Sequence, residues 1–531
     1  MFWQHGPHHH RNIVSEDPTQ RPRRFIVIPK LGEAEKVPGP TQTMRLMRLS
    51  PTDLPAAAAK RARGEHAGAR PAEKPRLPAL NLKWVNSSPA DGAVLVEAKH
   101  FSIAQIKART PAGAKVVEEQ WYRLERPTRP WLKSGAKLKK PRTTAGPTIK
   151  WSATVLLDGA APAPLADVVV TVMLDEANGI GVEAITNRVG RVTFEFSAKI
   201  KRLDAIYVYP LHGGWPMRLS DVDVMPARVE IVVPKIDLSI PDVRGLVYGM
   251  ADSAAGKGVK VGVVDTGVGG HRALTVAGGR NTTAKESAQR FRDEDGHGSH
   301  VAGVIAATAS GWRRGEASAV GLYAYRIFEA GDPYASTFAI QAAIKQAAID
   351  GCDLINLSIG DSMADESVRD AVDFAWSKGS VCVAAAGNDG MGKVDYPARY
   401  PKAIAVTAIG LENSWPAGAY LDDALGTSRG KHIAGHQVFL AEFSNRGTKV
   451  ALTAPGVAVV STLFEDRWGV MSGTSMATPI VTGVLARRLA ASPVRELPRD
   501  AKRAAAIVQL ARDSAEDVGL EARMQGAGLA R

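Results

Sequence analysis

The sequence contains very little cysteine. Only two of its 531 residues are cysteines, Cys352 and Cys382, and both lie in apolar runs. Two cysteines exclude the disulfide framework of a small secreted scaffold. We expect two buried free thiols, with a single bridge between neighbouring strands as the alternative.

Long apolar runs are also missing. No stretch reaches the roughly 18 consecutive apolar residues of a membrane-spanning helix, so no membrane partner is expected. The first 24 residues lack the apolar core and the small-residue cleavage site of a signal peptide. The simplest expectation is a cytoplasmic protein, with export by a route that leaves no mark in the sequence as the alternative. The histidines at positions 5–10 have no defined geometry, and we expect no metal site there.

Acidic residues are scarce in the first 150 positions. This part has 28 Lys and Arg against 12 Asp and Glu, whereas the remainder has 39 against 42. Such a basic segment could bind nucleic acid or an acidic surface. Its charges are mixed with Pro and Ala, most clearly at residues 56–78, which is typical of a solvated linker. No zinc finger or aromatic RNA-binding signature is present, so nucleic acid is not expected to be the main partner.

Composition changes along the chain divide it into five predicted segments. These are a disordered tail (1–24), a small α+β module (25–125) with a disordered insert at about 40–78, a basic linker (126–147), an all-β sandwich (148–235) and an α/β domain (236–531). In the module, the patterns predict strands at Arg24–Lys30, Ala93–Ala98 and Lys115–Leu124, and a helix at Phe101–Thr110. In the sandwich, short alternating runs are separated by Gly, Pro, Asp and Asn, as is typical of such domains.

The α/β domain combines continuous apolar strands with amphipathic helices that end at Gly. This pattern predicts a parallel, doubly wound sheet, in which active sites collect at the carboxyl ends of the strands. One stretch, Leu411–Gln437, is predicted to be an inserted surface loop, either with its own role or merely tolerated.

Three motifs place reactive side chains at the ends of predicted elements. Asp265 closes the buried strand of VGVVDTGVG, His297 precedes a small-residue helix in DGHGSH, and Ser475 opens another helix in SGTSMATP. Each has an ordinary alternative: an Asp turn, a capping turn or metal ligand, and a turn of small residues. A zinc site at His297 and His300 is disfavoured because no Glu stands at metalloprotease spacing.

Together the three residues resemble a catalytic triad. They occur in the order Asp, His, Ser, 32 and 178 residues apart, which is the order of the subtilisin group. From about Ile236 to Arg531 the chain closely resembles the subtilisin-like serine proteases. The resemblance implies that Ser475 is the nucleophile, His297 the general base and Asp265 the residue that orients the imidazole.

The resemblance also implies an oxyanion hole and a substrate cleft. Asn388 would supply a side-chain amide beside the backbone N–H of Ser475. Two stretches would wall the primary pocket and pair with an extended peptide; they comprise Ser358, Ile359 and Gly360, and Ala385, Ala386 and Gly387. The bottom of the pocket departs from the family pattern, and Met391, Val394 or Asp395 could tune its preference.

No cofactor is expected from these motifs. The stretch at residues 307–323 lacks the Asn-rich ligand loop of calcium-binding relatives. Calcium at another place stays open, because carbonyl ligands leave no sequence mark.

The prediction for the whole chain is a serine endopeptidase acting on extended polypeptide segments. Its alternative is an inactive scaffold of the same fold that binds through its basic region and its sandwich. The module at 25–125 resembles an inhibitory propeptide, which implies intramolecular inhibition. Residues 1–235 are then either a retained regulatory or targeting region, or a region partly removed during maturation.

Overall fold

The computed structural model describes residues 21–29, 83–98, 101–108, 110, 113–124, 138–141, 147–390 and 392–531. The predicted disordered insert lies outside these residues, as do most of the predicted tail and of the basic linker.

The N-terminal unit is a four-stranded antiparallel sheet with one short helix. Its strands stand in the order β2-β3-β1-β4. The elements are β1 (Arg24–Ile28), β2 (Lys83–Ser87), β3 (Val94–Glu97), α1 (Ile103–Lys107) and β4 (Lys115–Glu118). Helix α1 covers one face of the sheet through Ile106. The other face packs against Phe338 of the C-terminal region.

The predicted strand Lys115–Leu124 is in fact two strands. After β4 the chain leaves the sheet at Glu119 and Gln120 and forms β5 (Trp121–Leu124), which belongs to a different sheet. The apolar pattern is continuous across the break, so local sequence gives no sign of it. The break is fixed by distant partners, because Gln120 exchanges hydrogen bonds with Thr337.

Residues 147–235 form a two-sheet region with one shared apolar core. Strand β6 stands between β10 and β13 in the first sheet and also pairs β7, and the second sheet has the order β12-β11-β8-β9. The strands are β6 (Thr148–Leu157), β7 (Ala163–Pro164), β8 (Val168–Asp175), β9 (Ile180–Ile185), β10 (Arg191–Ser197), β11 (Arg202–Pro210), β12 (Met217–Asp223) and β13 (Arg228–Val233). In β10, Val192, Phe194 and Phe196 face the core, because successive side chains of a strand point to opposite faces.

The C-terminal region (236–531) is built around a mainly parallel sheet. Its order is β15-β16-β14-β18-β20-β21-β23-β22, and β24 also pairs with β21. The strands are β14 (Lys260–Asp265), β15 (Val276–Asn281), β16 (Gly321–Arg326), β17 (Tyr334–Ser336), β18 (Leu354–Leu357), β19 (Ile359–Gly360), β20 (Val381–Ala385), β21 (Ala403–Leu411), β22 (Leu425–Ile433), β23 (His436–Ala441), β24 (Leu452–Pro455), β25 (Val459–Leu463) and β26 (Arg467–Met471).

Helices pack on this sheet to give the doubly wound α/β architecture that the apolar pattern predicts. They are α2 (Val243–Tyr248), α3 (His297–Ala306), α4 (Thr337–Ile349), α5 (Glu366–Ser377), α6 (Thr474–Ala490), α7 (Ala501–Asp513) and α8 (Ala522–Gln525). Apolar clusters on the two faces of the sheet form the core. Cys352 and Cys382 are buried there as free thiols, so the alternative of a disulfide bridge is wrong.

The stretch Leu411–Gln437 is not the surface loop that was predicted. Its second half forms β22 and the turn into β23, a hairpin that extends the main sheet by two antiparallel strands. Its first half contacts the two-sheet region: the Tyr420 N–H donates to the Pro216 carbonyl at 2.8 Å, and its ring packs edge-on against Tyr207. Within the described ranges, no helix has the length and apolar character needed to cross a membrane.

Candidate active site

Asp265 and His297 are in direct contact at the centre of the sheet. Asp265 is the last residue of β14, a strand flanked on both sides by parallel neighbours. Its Oδ1 lies 2.8 Å from Nδ1 of His297, the first residue of α3, and it also accepts the Thr266 N–H at 2.7 Å. A carboxylate on Nδ1 fixes the imidazole tautomer and leaves Nε2 as the proton-accepting atom.

The position of His297 depends on close approach between α3 and the turn after β14. A Cβ on Gly298 would lie only 2.0 Å from the Gly267 carbonyl oxygen, so a larger residue would push the helix away. The Gly298 N–H donates to Thr266 Oγ1 at 2.9 Å, and that hydroxyl donates to Asp293 at 3.0 Å.

Asp293 is a positioning residue that the sequence analysis missed. Its buried carboxylate accepts the N–H groups of Gly296 at 3.0 Å and Ser299 at 2.8 Å, and so holds the start of α3. The signal was visible as an acidic residue four positions before His297, because Asp favours such capping positions.

His300 has a different role from His297. Its Nε2 donates to the carbonyls of Val459 (3.1 Å) and Gly469 (3.3 Å) in the β25–β26 hairpin. Burial, reinforced by His297, lowers the pKa of His300 to about 3, which keeps the ring neutral. It therefore joins α3 to the hairpin. Within the described part of the chain, no group of three or more His, Cys, Asp or Glu side chains is arranged to hold a metal ion.

Ser475 is the second residue of α6, which packs against α3. Its Oγ donates to the Ser358 carbonyl at 3.2 Å, and Ser358 Oγ donates to the Ser475 carbonyl at 2.9 Å. These two bonds join the helix start to the end of β18. The dipole of α6 favours negative charge at this point.

Asn388 lies beside the same helix start. Its Oδ1 accepts the Thr474 N–H and hydroxyl, both at 2.9 Å, which fixes the orientation of the amide. The place that a Cβ on Gly473 would occupy is 3.5 Å from Asn388 Nδ2 and 3.7 Å from the Ser475 nitrogen. The space over Gly473 is therefore bordered by two N–H donors that can stabilise an oxyanion.

The six predicted pocket residues lie on two neighbouring segments. Ile359 and Gly360 form β19, just after Ser358, and Ala385–Gly387 form the end of β20 and the turn into Asn388. Strand β5 runs between β17 and β19 and is antiparallel to both. Of the three residues predicted to tune the pocket, Met391 lies outside the described residues, Val394 is buried in the apolar core, and Asp395 lies against Gly387.

The chain is similar to a known protein family and to several named proteases. A model of the subtilase family matches residues 256–528. The chain is 36% identical to M-protease of Shouchella clausii over 268 residues, which is 50% of this chain and 61% of that protein. It is 35% identical to Subtilisin Savinase of Lederbergia lenta over 232 residues, 44% of this chain and 76% of that protein.

Two further comparisons, one with a sequence relative and one with a solved structure, give lower sequence identities. The chain is 33% identical to the minor extracellular protease Epr of Bacillus subtilis, over 44% of this chain and 32% of that protein. It thus spans less than two thirds of both M-protease and Epr. Among solved structures, sphericase is 29% identical with a TM-score of 0.45, over 56% of this chain and 99% of its own.

Proposed function

Because the chain belongs to the subtilase family, we propose that it is a serine endopeptidase that cleaves extended polypeptide segments through an acyl-enzyme. The observation that carries the proposal is the 2.8 Å contact between Asp265 and His297, on the helix that packs against the one opened by Ser475.

The proposed roles follow from the chemistry of the three side chains. His297 Nε2 removes the proton from Ser475 Oγ as the hydroxyl attacks the peptide carbonyl, and it later returns a proton to the leaving amine. Asp265 stays ionised and stabilises the imidazolium. Water then repeats the cycle on the acyl-enzyme, with His297 again as the base.

The negative oxygen of the tetrahedral intermediate is proposed to bind over Gly473. Asn388 Nδ2 and the Ser475 N–H border that space, and both are N–H donors that could meet the developing charge. Losing such a side-chain donor lowers turnover by roughly 10²–10³, a magnitude measured in a subtilisin, which is a member of the same family.

A fluorophosphonate probe on the full-length protein tests this function. We expect covalent labelling of the wild type, loss of labelling in Ser475→Ala, and a drop of roughly 10⁴ in rate in Asp265→Asn, where the imidazole loses its correct tautomer. Ser472→Ala, which removes a hydroxyl three residues away, is the matched control and should still be labelled. An unlabelled wild type would instead favour the inactive scaffold.

We also propose that strand β5 inhibits the site from within the same chain. Support comes from its place as the middle strand between β17 and β19, with Arg123 opposite Gly360 and Leu124 opposite Ile359. A peptide that continued this strand by one residue would reach Ser358, whose carbonyl accepts the Ser475 hydroxyl. In this register β5 would compete with an extended substrate for the edge of β19.

The side chains of β5 support the same proposal. Tyr122 and Leu124 are buried in the core of the C-terminal region, and the Tyr122 hydroxyl donates to the Met363 carbonyl at 3.0 Å. The Leu124 N–H donates to the Pro333 carbonyl at 3.0 Å. A substrate must displace these contacts before it can bind.

Truncating Tyr122 in the full-length protein tests the inhibition. Tyr122→Ala should raise the fluorophosphonate labelling rate by about tenfold or more, since losing a buried aromatic ring costs a few kcal/mol. Tyr209→Ala, in β11 of the two-sheet region, is the matched control and should label like the wild type. Equal rates for all three proteins would contradict the proposal. Intact masses of wild type and Ser475→Ala then tell whether residues are removed by self-cleavage.

A further inference from the structure

One buried carboxylate near the cleft has no part in the proposed mechanism. Asp395 is 5% exposed and directly follows the buried Val394. Its N–H donates to the Ala386 carbonyl at 2.9 Å, on the Ala385–Gly387 wall. The next residue, Tyr396, exchanges two backbone hydrogen bonds, 2.8 and 3.0 Å, with Asp361, which adjoins Gly360 of the other wall. The segment is therefore hydrogen-bonded to both walls.

The Asp395 carboxylate lies directly against one wall. A Cβ on Gly387 would be 2.2 Å from Asp395 Oδ2. Gly387 also has a φ of 106°, a backbone conformation that residues with a side chain rarely adopt, so glycine is favoured at this position. The carboxylate thus approaches the backbone immediately before Asn388. Asn445 Nδ2 donates to the same oxygen at 3.1 Å.

The charges around Asp395 are mostly of its own sign. Burial and the carboxylates of Asp389 and Asp361 raise its pKa to about 7, and Arg399 is the cation that opposes them. An anion at this place is therefore poorly compensated in the absence of a further cation.

The position of β5 suggests how a peptide substrate would lie between the two walls. Strand β5 is a peptide already bound along β19, and its direction leads toward Ser358 and Ser475. A peptide substrate in that register presents the side chain before the cleaved bond between the Ser358–Gly360 and Ala385–Gly387 walls. That side chain would lie close to the segment that carries Asp395, because this segment is hydrogen-bonded to both walls.

We propose that Asp395 selects substrates with lysine or arginine at the residue preceding the cleaved bond. The inference rests on the proposed endopeptidase function, and it names the substrate class of the same site. A long cationic side chain would end beside the Asp395 carboxylate and supply the counter-charge, while a leucine would leave that carboxylate buried and uncompensated.

Two covalent probes on the full-length protein test this preference. They are tripeptidyl diphenyl phosphonates that differ only in the last side chain, lysine or leucine. Both compete with β5 to the same degree, so the ratio of their inactivation rates does not depend on intramolecular inhibition. We expect the lysine probe to react about tenfold faster or more in the wild type. In Asp395→Asn this ratio should fall by about the same factor.

The pH dependence of the ratio separates charge recognition from a packing role. In the wild type the lysine-to-leucine ratio should rise as the pH increases through about 7, because Asp395 then ionises. Titration of His297 affects both probes alike and cancels. The ratio should be flat in Asp395→Asn. Asp373→Asn removes the same charge from an exposed position on α5, where Asp373 pairs with Lys402, and should leave the ratio unchanged.

The outcomes distinguish this inference from the function on which it rests. Faster reaction of the leucine probe in a wild type that fluorophosphonate labels would overturn the lysine preference alone. So would an equal loss for both probes in Asp395→Asn. A wild type that no probe labels would overturn the endopeptidase function and this inference with it.

Discussion

The N-terminal unit and the two-sheet region contact the C-terminal region in different ways. The N-terminal unit has its own apolar core between its sheet and α1. Besides the packing of its sheet against Phe338, it makes polar contacts: Asp91 pairs with Lys345, Lys115 with Asp370, and Glu119 accepts the Ser336 hydroxyl. The two-sheet region instead contributes Trp215 to the main apolar core of the C-terminal region.

This difference indicates which contact can be reversed. Breaking a polar interface returns its groups to water, where they find new partners. Removing a shared apolar residue exposes core surface and leaves a cavity. We therefore expect the N-terminal unit to detach while both partners stay folded, and the two-sheet region to act as a permanent support of the catalytic fold.

The largest expected effect is on the shared core. Trp215→Ala should lower the stability of the C-terminal region by roughly 3–5 kcal/mol, since it empties a buried aromatic site. The urea midpoint for loss of fluorophosphonate labelling measures this. Trp84→Ala, which truncates the same residue type in the N-terminal unit, should leave that midpoint unchanged. Equal shifts in both variants would erase the distinction between the two contacts.

A smaller effect is expected from the pH dependence of the polar contact. Burial raises the pKa of Glu119 to about 7 in the docked unit, from an ordinary value of 4.5. Docking therefore takes up a proton: it is strongest below the undocked pKa and weakens as the pH rises toward 7. Glu119 is hydrogen-bonded to the Ser336 hydroxyl. The charged groups around it are Arg21, Arg24 and Glu329.

Glu119→Gln tests this pH dependence. The labelling rate of the wild type should rise more steeply between pH 5 and 7 than that of the variant. The contribution of His297 is common to both proteins and cancels in the comparison. Glu118→Gln is the matched control, because Glu118 is exposed and pairs with Arg23 of the same unit. Parallel pH profiles for wild type and Glu119→Gln would rule out the dependence.

The smallest effect is expected at the rim of the interface. Lys115 contacts Asp370 and, at 3.4 Å, Glu366 of α5, and its side chain is 44% exposed. Exposed pairs contribute about 1 kcal/mol or less, so Lys115→Gln should raise the labelling rate by no more than about fivefold. The gain should shrink at high salt. Lys402→Gln, which breaks a pair within the C-terminal region, should show no gain.

The positions of the proposed catalytic residues could be predicted because each lies at the end of a strongly patterned element. Asp265 ends an apolar strand and Ser475 opens a helix, and both positions can be read from local periodicity. The two strands within Lys115–Leu124 could not be predicted in that way. Their separation at Gln120 depends on hydrogen bonds to Thr337, 217 residues further along the chain.

Contacts between distant parts of the chain also account for the other places where the structure differs from the sequence predictions. Strand β2 follows a Pro-rich stretch with no alternating pattern, and its pairing with β3 supplies the order that its own residues do not. The stretch Leu411–Gln437 was predicted as an inserted surface loop from its length alone, whereas its hairpin is fixed by pairing with the distant edge of the main sheet. The capping position of Asp293 was visible in the local sequence, but its hydrogen bond with Thr266, which lies 27 residues earlier, was not.

The placement of β5 also determines how dilution affects the protein. Leu124 in the cleft and Leu138, which packs against a small apolar cluster of the two-sheet region, are separated by only 13 residues of one chain. If β5 is the inhibitor that we propose, such a short tether keeps it at an effective concentration of about millimolar, whatever the protein concentration. Diluting the intact chain would therefore leave the cleft occupied. A single cut in the tether would turn the inhibitor into a separate molecule, whose occupancy falls as the solution is diluted.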